Sequence, residues 1–238
     1  MILIFDLDDT LYKENEFVKS GFKAVSRYLH LKFKLNEKKI FLQLLRILKK
    51  NGRGKIFDIL CFQLKLKKNF LVKKLVQVYR THEPKISLNK DVIKILKFYS
   101  EFSKYIITDG NYLVQKKKIK FLKIEKYFKK IYYTNYYGIK YNKPSLFCFN
   151  KIKKKEKVNW NELVYIGDNP KKDFLNCNKK KILTIRLMKG EFKNLRVSKH
   201  YDAKYKIKKL SMLKKKLNLN HRVLNDSLKK IQICKSRK

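Results

Sequence analysis

Residues 2–5, Ile-Leu-Ile-Phe, form an unbroken apolar run that stops at Asp6. A run without alternation suits a strand buried on both faces, and such strands belong to parallel sheets covered by helices. From about Glu14 to Val78 the pattern changes. Phe17, Phe22, Val25 and Leu29, then Ile40, Leu44, Leu45 and Leu48, recur at three- and four-residue steps, as do Ile56, Ile59, Leu60 and Leu71, Leu75, Val78. This reads as amphipathic helices with no strand between them. Asn51-Gly52-Arg53-Gly54 is a turn between two of them, too short for a phosphate-binding P-loop.

After Glu83-Pro84 strand and helix signals alternate. Helices are predicted near 90–99, 112–122, from Lys143-Pro144 to about 152, and over 173–179. Strands are predicted at 105–108, 130–134, 163–166, 182–187 and 204–207. Alternation of this kind specifies an α/β fold, a doubly wound, mostly parallel Rossmann-like sheet. The departure from it is an all-helical insert of about 70 residues after the first strand. The expected division is 1–12 with 85–210 as the sheet domain, 13–84 as the helical insert, and 211–238 as a basic C-terminal extension.

The charge has two possible meanings. The chain carries 62 Lys+Arg against 19 Asp+Glu, a formal net charge of +43. Only eight of the cations are Arg, and Lys is spread along the whole length beside abundant Ile, Asn, Phe and Tyr. That is the residue usage of AT-rich coding. Sequence-specific nucleic-acid readers favour Arg for bidentate contacts, so no specific nucleic-acid partner is expected. Weak adhesion to polyanions at low salt follows from the charge alone. No run approaches 18 consecutive apolar residues, and the first residues lack a basic leader, so no membrane span or signal peptide is expected and a cytoplasmic protein is. Cys61, Cys148, Cys177 and Cys234 show no CxxC pairing and His30, His82, His200 and His221 are scattered, which argues against zinc and for reduced thiols.

In a doubly wound sheet, ligands sit at the carboxyl ends of the strands. Three predicted strands here end in distinctive polar residues. The first gives Asp6-Leu7-Asp8-Asp9-Thr10; the second gives Thr108-Asp109-Gly110-Asn111; a later one gives Gly167-Asp168-Asn169-Pro170, with Asp173 five residues past Asp168. Lys143 stands between the last two. In a chain so poor in acid, four carboxylates at strand ends are informative. Carboxylates gathered in a cleft need a cation, and oxygen ligands without His or Cys favour a hard ion, Mg²⁺ first. Lys143 and the Thr108 hydroxyl supply a charge and a donor for phosphoryl oxygens, and Gly110 lets backbone amides come close. One of the paired aspartates could attack phosphorus while the other handles the proton.

This constellation resembles the haloacid dehalogenase-like (HAD) superfamily of phosphotransferases, subfamily I. The likeness rests on Asp6–Thr10 (DLDDT), Thr108, Lys143 and Gly167–Asp173 (GDNPKKD), in that order. The resemblance implies Asp6 as nucleophile and Asp8 as acid and base. Thr108, Asp109, Gly110 and Lys143 would bind phosphate. Mg²⁺ would be held by Asp6, the Asp8 backbone carbonyl and Asp168, with Asp173 supporting from behind. The helical insert would be a C1-type cap, with Phe17, Phe22, Tyr28, Phe33 and Phe57 as its own core. The 35 residues between Thr108 and Lys143 leave no room for the larger cap that other members carry there.

Dehalogenases of the family lack the equivalent of Asp8, so its presence implies phosphoryl transfer: a phosphomonoesterase acting on a small phosphorylated metabolite, of the sugar phosphate or nucleotide class, through an aspartyl-phosphate. A phosphomutase or phosphonatase is the enzymatic alternative, and a polyanion-associated protein the non-enzymatic one. Two residues depart from the family pattern. Asp109 stands where Asn is commoner, and Lys181 where a turn usually has Gly.

Overall fold

A computed structural model of the chain describes residues 1–66 and 68–218. The described chain divides into two compact units, Met1–Lys13 with the residues from Leu88 onward, and Glu14–Ser87.

Among the described residues the first unit is built on six strands, all parallel, in the order β3-β2-β1-β4-β5-β6. They are β1 (Ile2–Phe5), β2 (Lys104–Thr108), β3 (Lys130–Tyr133), β4 (Leu163–Gly167), β5 (Leu183–Leu187) and β6 (Tyr205–Ile207). The opening apolar run is the central strand, buried at every position. Because β1 pairs with β2 on one side and β4 on the other, chain order reverses direction at β1. That reversal opens a crevice at the carboxyl end of β1.

Side chains alternate between faces with period two. On one face Ile2, Ile4, Tyr105, Ile107 and Tyr165 pack with Phe149, Ile152 and Cys177 in one apolar cluster. Phe149 and Ile152 come from one helix of the unit and Cys177 from another. The helices of this unit, with the numbers α1 to α4 kept for the second unit, are α5 (Lys90–Phe98), α6 (Tyr112–Leu122), α7 (Thr134–Tyr137), α8 (Phe147–Glu156), α9 (Leu175–Lys179) and α10 (Leu213–Asn218).

Two local expectations are corrected. The helix expected to open at Pro144 begins at Phe147, because Ser145 N donates to Asn142 O and makes 142–145 a turn. The helix expected from Asp173 begins at Leu175, since the Asp173 carboxylate is bonded elsewhere. Lys181 adopts φ 59, in the left-handed region where glycine is at ease, so a lysine there carries a small strain. Of the basic extension expected from 211, residues 219–238 lie outside the described residues; before them Leu213 and Leu217 of α10 are buried.

The second unit consists of α1 (Glu14–Phe33), α2 (Glu37–Asn51), α3 (Ile56–Gln63) and α4 (Lys68–Thr81). Their apolar stripes close on one core containing Phe22, Val25, Leu29, Leu44, Leu60 and Leu75. Asn36 caps α2 by accepting from Lys39 N, and Gly52 ends it at φ 70. Phe17, Phe22 and Phe57 are buried as expected, but Phe33 is exposed at the end of α1. Ser20 and His82 share a 2.6 Å hydrogen bond that ties the end of α4 to α1.

Candidate active site

The strand-end residues singled out in the sequence form three connected groups at the carboxyl edge of the sheet. Asp6 follows β1, is buried, and is fixed by its amide donating to Ile166 O at 2.8 Å. Its Oδ1 accepts from Lys143 Nζ at 2.5 Å. The same ammonium pairs with Asp173 Oδ1 at 2.8 Å and donates to the Tyr165 hydroxyl at 2.9 Å, which in turn donates to Asp173 Oδ1. Asp173 Oδ2 accepts from Asn169 N at 2.9 Å. Gly167 is needed here. A Cβ at that position would stand 2.5 Å from Asp173 Oδ2, so any other residue would push the carboxylate off Lys143.

The second group surrounds Asp8, whose carboxylate takes three donors. Tyr12 OH reaches Oδ1 at 2.5 Å, Lys118 Nζ reaches Oδ1 at 2.7 Å, and Gln115 Nε2 reaches Oδ2 at 2.8 Å. Gln115 Nε2 also lies 2.7 Å from Thr108 Oγ1 and from Asp109 O. Gln115 and Lys118 sit three residues apart on α6 and so share one face of it. With its carboxylate turned to these donors, the Asp8 group left for a cation is the backbone carbonyl.

In the third group Asp109 Oδ1 accepts from Thr134 Oγ1 at 2.8 Å and from Lys143 N at 3.2 Å, while Oδ2 faces Lys172 Nζ at 3.3 Å. Asp109 therefore braces the Lys143 turn, and its charge is met by a second lysine. Gly110 adopts φ 112, and its amide donates to Asn135 Oδ1 at 3.3 Å. That bond places the amide against Asn135.

Charge balance shows in the ionisation of these groups. Burial pushes the Asp6 carboxyl up to about 7, with Lys143 opposing and Asp173 and Asp8 adding to the rise. Burial pushes Asp168 up to about 9, reinforced by Asp6, Asp173 and Asp9. For Asp8 burial acts upward too, but the Lys118 ammonium and the hydrogen bonds from Lys118, Tyr12 and Gln115 outweigh it and hold the carboxyl below its usual range. Burial would lower Lys143, yet Asp173 and Asp6 keep it well above the ordinary lysine value.

These residues offer a set of oxygen donors suited to a divalent cation. Among the described residues the Asp168 carboxylate, 5% exposed, makes no hydrogen bond or ion pair. A buried carboxylate without a partner is costly unless a cation meets it. No three His, Cys, Asp or Glu side chains gather into a cage among the described residues. Two carboxylates, Asp6 and Asp168, with one carbonyl are instead a donor set that fits Mg²⁺, which keeps much of its water. A cavity of about 1000 Å³ elsewhere in the unit, lined by Val164, Ile182, Leu183 and His200, lies toward the amino ends of β4 and β5 and holds none of these residues.

The sequence reading did not single out Tyr12, Gln115, Lys118, Thr134, Tyr165 or Lys172. Helical spacing after Thr108 could have marked Gln115 and Lys118, but one lysine among 54 gives no signal alone.

The pattern that defines the haloacid dehalogenase-like hydrolases matches residues 3–187. The chain is similar to the glyceraldehyde 3-phosphate phosphatase of Methanocaldococcus jannaschii, at 28% identity over 213 residues, covering 84% of this chain and 90% of that one. In structure it is similar to a Bacillus subtilis chain assigned to the HAD hydrolases and bound to magnesium (TM-score 0.65, 19% identity, 91% and 98% covered). A Thermotoga maritima chain assigned as a β-phosphoglucomutase shares the fold to the same degree (TM-score 0.65, 18% identity, 94% and 100% covered).

Proposed function

The chain belongs to the haloacid dehalogenase-like hydrolase family, and from that premise we propose that it is a Mg²⁺-dependent phosphomonoesterase acting on a small phosphorylated metabolite. The observation that carries this reading is the buried Asp6 carboxylate, 2.5 Å from Lys143 Nζ and next but one to Asp8. The named phosphatase relatives, which this chain matches over most of its length, support the same class of substrate.

In this reading an Asp6 oxygen attacks phosphorus and the ester oxygen leaves. Asp8, protonated in the complex that reacts although its carboxyl is held low in the free protein, gives that oxygen its proton, so an alcohol departs and a phosphoryl group remains on Asp6. Asp8, now a carboxylate, takes a proton from water as the water oxygen attacks the same phosphorus. Inorganic phosphate is released and both aspartates return to their starting states. Lys143 and the Thr108 hydroxyl hold the equatorial oxygens, where charge is spread in the transition state. Tyr165 and Asp173 keep Lys143 in place. Asp6, the Asp8 carbonyl and Asp168 would hold Mg²⁺, whose charge relieves repulsion between the carboxylates and the incoming phosphate. The helical residues 13–84 are read as the family's cap, and the protein as cytoplasmic. Among the described residues no helix is long and apolar enough to cross a membrane.

The test is release of inorganic phosphate across a panel of small phosphomonoesters, with Mg²⁺ and with EDTA, for the wild type and Asp6→Asn. Magnesium-dependent release that the substitution abolishes is the expected result. Folded wild type that releases none would sink the reading. Conversion of a sugar phosphate to its isomer without release would show a mutase. Polyanion binding that survives physiological salt would point to the non-enzymatic role.

A further inference from the structure

The Asp8 carboxylate takes three donors on its two oxygens, two of them neutral and one an ammonium. Two of them come from α6. Lys118 brings an ammonium whose side chain is only 5% exposed, a costly placement unless the charge is paired. Gln115 is placed differently. Its amide nitrogen carries two hydrogens but faces three acceptors, Asp8 Oδ2, Thr108 Oγ1 and Asp109 O, while its own Oε1 is buried without a partner among the described residues. Gln115 can thus release Asp8 and keep both hydrogens bonded. Lys118 Nζ, 2.7 Å from Asp8 Oδ1 and 5.9 Å from the centre of the Tyr12 ring, brings the one full charge among the three donors to that carboxylate.

We propose that Lys118 is a positioning residue for Asp8, setting the carboxylate where it can exchange a proton with the departing ester oxygen. The inference rests on the phosphatase reading and deepens it. Lys118 does not act on phosphorus. Through Asp8 it acts on the proton which that carboxylate handles, and that proton matters only when the leaving oxygen is basic. A nitrophenolate departs unaided; a sugar or glycerol alkoxide does not.

This difference supplies the test. The value of kcat/KM covers steps up to departure of the leaving group and excludes hydrolysis of the aspartyl-phosphate, so it isolates the protonation step. It would be measured for 4-nitrophenyl phosphate, phenyl phosphate and glycerol phosphate with wild type, Lys118→Met and Lys118→Arg. Lys118→Met is expected to lose roughly 10- to 100-fold on glycerol phosphate, within the contribution usual for general acid catalysis. It should lose less than about 3-fold on 4-nitrophenyl phosphate, with phenyl phosphate between. Lys118→Arg, which keeps the charge, should restore the shallow dependence. Should Lys118→Met fail to fold, Lys118→Gln gives the same comparison. Equal losses on all three esters would mark a structural role and overturn the proposal, as would no loss or a larger loss on the nitrophenyl ester. Wild type that cleaves none of the three overturns the phosphatase reading and this inference with it, an outcome distinct from active wild type with a uniform variant.

Discussion

The two units of the molecule both bury an apolar core but differ in the polar side chains they hide. Among the described residues the helical unit hides only Ser20, Ser26 and His82 from its polar set, each bonded close by, around a core of Leu, Ile, Val and Phe. The sheet unit buries Asp6, Lys118, Lys143, Asp168 and Asp173 beside its apolar core, and Arg186 besides. Arg186 pairs with Asp202 and donates to the Leu195 carbonyl, so it fastens the loop after β5. The others crowd the carboxyl edge of the strands. One unit is therefore held by volume, and the other spends buried charge where its chemistry lies. Removing a group should cost stability in the first and turnover in the second.

The sharpest way to break this contrast is Asp6→Asn. Turnover should fall on the order of 10⁴-fold, as for other nucleophile or partner replacements. Metal-free melting temperature should stay level or rise at neutral pH, because the lost charge is one that burial disfavours. A collapse in melting temperature would show that Asp6 is structural. The converse is Leu44→Ala, at a fully buried position of α2. It should cost about 3 kcal/mol in denaturant unfolding, the range for leucine cavities, and a cost below about 1 kcal/mol would mean a loose core.

Third comes the pH dependence of the metal-free protein. Asp168 rises from 3.8 to about 9 on folding, so the folded state binds the proton more tightly than the unfolded state. Stability from this group is complete at low pH and is lost as pH climbs from 3.8 towards about 9. Calorimetry should show that decline in EDTA, its reversal by Mg²⁺, and a smaller decline ending near pH 7 in Asp168→Asn, where Asp6 still titrates. A flat profile in EDTA would contradict it. The smallest effect belongs to Arg53→Ala in the helical unit. Its guanidinium pairs with Glu14 at 2.5 Å, but the side chain is 47% exposed. A change under about 1 kcal/mol is expected for an exposed pair, again by denaturant unfolding.

What could be read from the sequence follows the same division. The apolar run before Asp6, the three- and four-residue steps from Glu14, and the helix over 112–122 are local patterns, and α6 spans Tyr112–Leu122. Asp6, Asp8, Thr108, Lys143, Asp168 and Asp173 stood out because each closes a predicted strand or lies beside a turn. Their order along the chain did the rest. The partners that tune them were illegible. Tyr165 looks like any inward strand residue, and Lys172 and Lys118 vanish among the lysines until folding sets them against Asp109 and Asp8. Nor does local pattern tell that 142–145 turns before α8 starts; that depends on Asn142 and Ser145 meeting.

The position of β1 at the middle of the sheet also governs the order in which the protein can be assembled as it is made. Residues 2–5 leave the ribosome well before Lys104 and Leu163, the residues that begin their two flanking strands. Asp6 precedes Lys143 by 137 residues, roughly ten seconds of synthesis at ordinary elongation rates. The helical unit, whose contacts lie within 74 consecutive residues, Glu14 to Ser87, is complete in that interval. The nascent chain thus carries a finished helical bundle beside a sticky four-residue strand with nothing to pair with. Asp6, Asp8 and Asp9 follow that strand immediately, and charges in that position discourage aggregation of a hydrophobic segment. The carboxylates that serve the finished enzyme would also guard its unfinished chain.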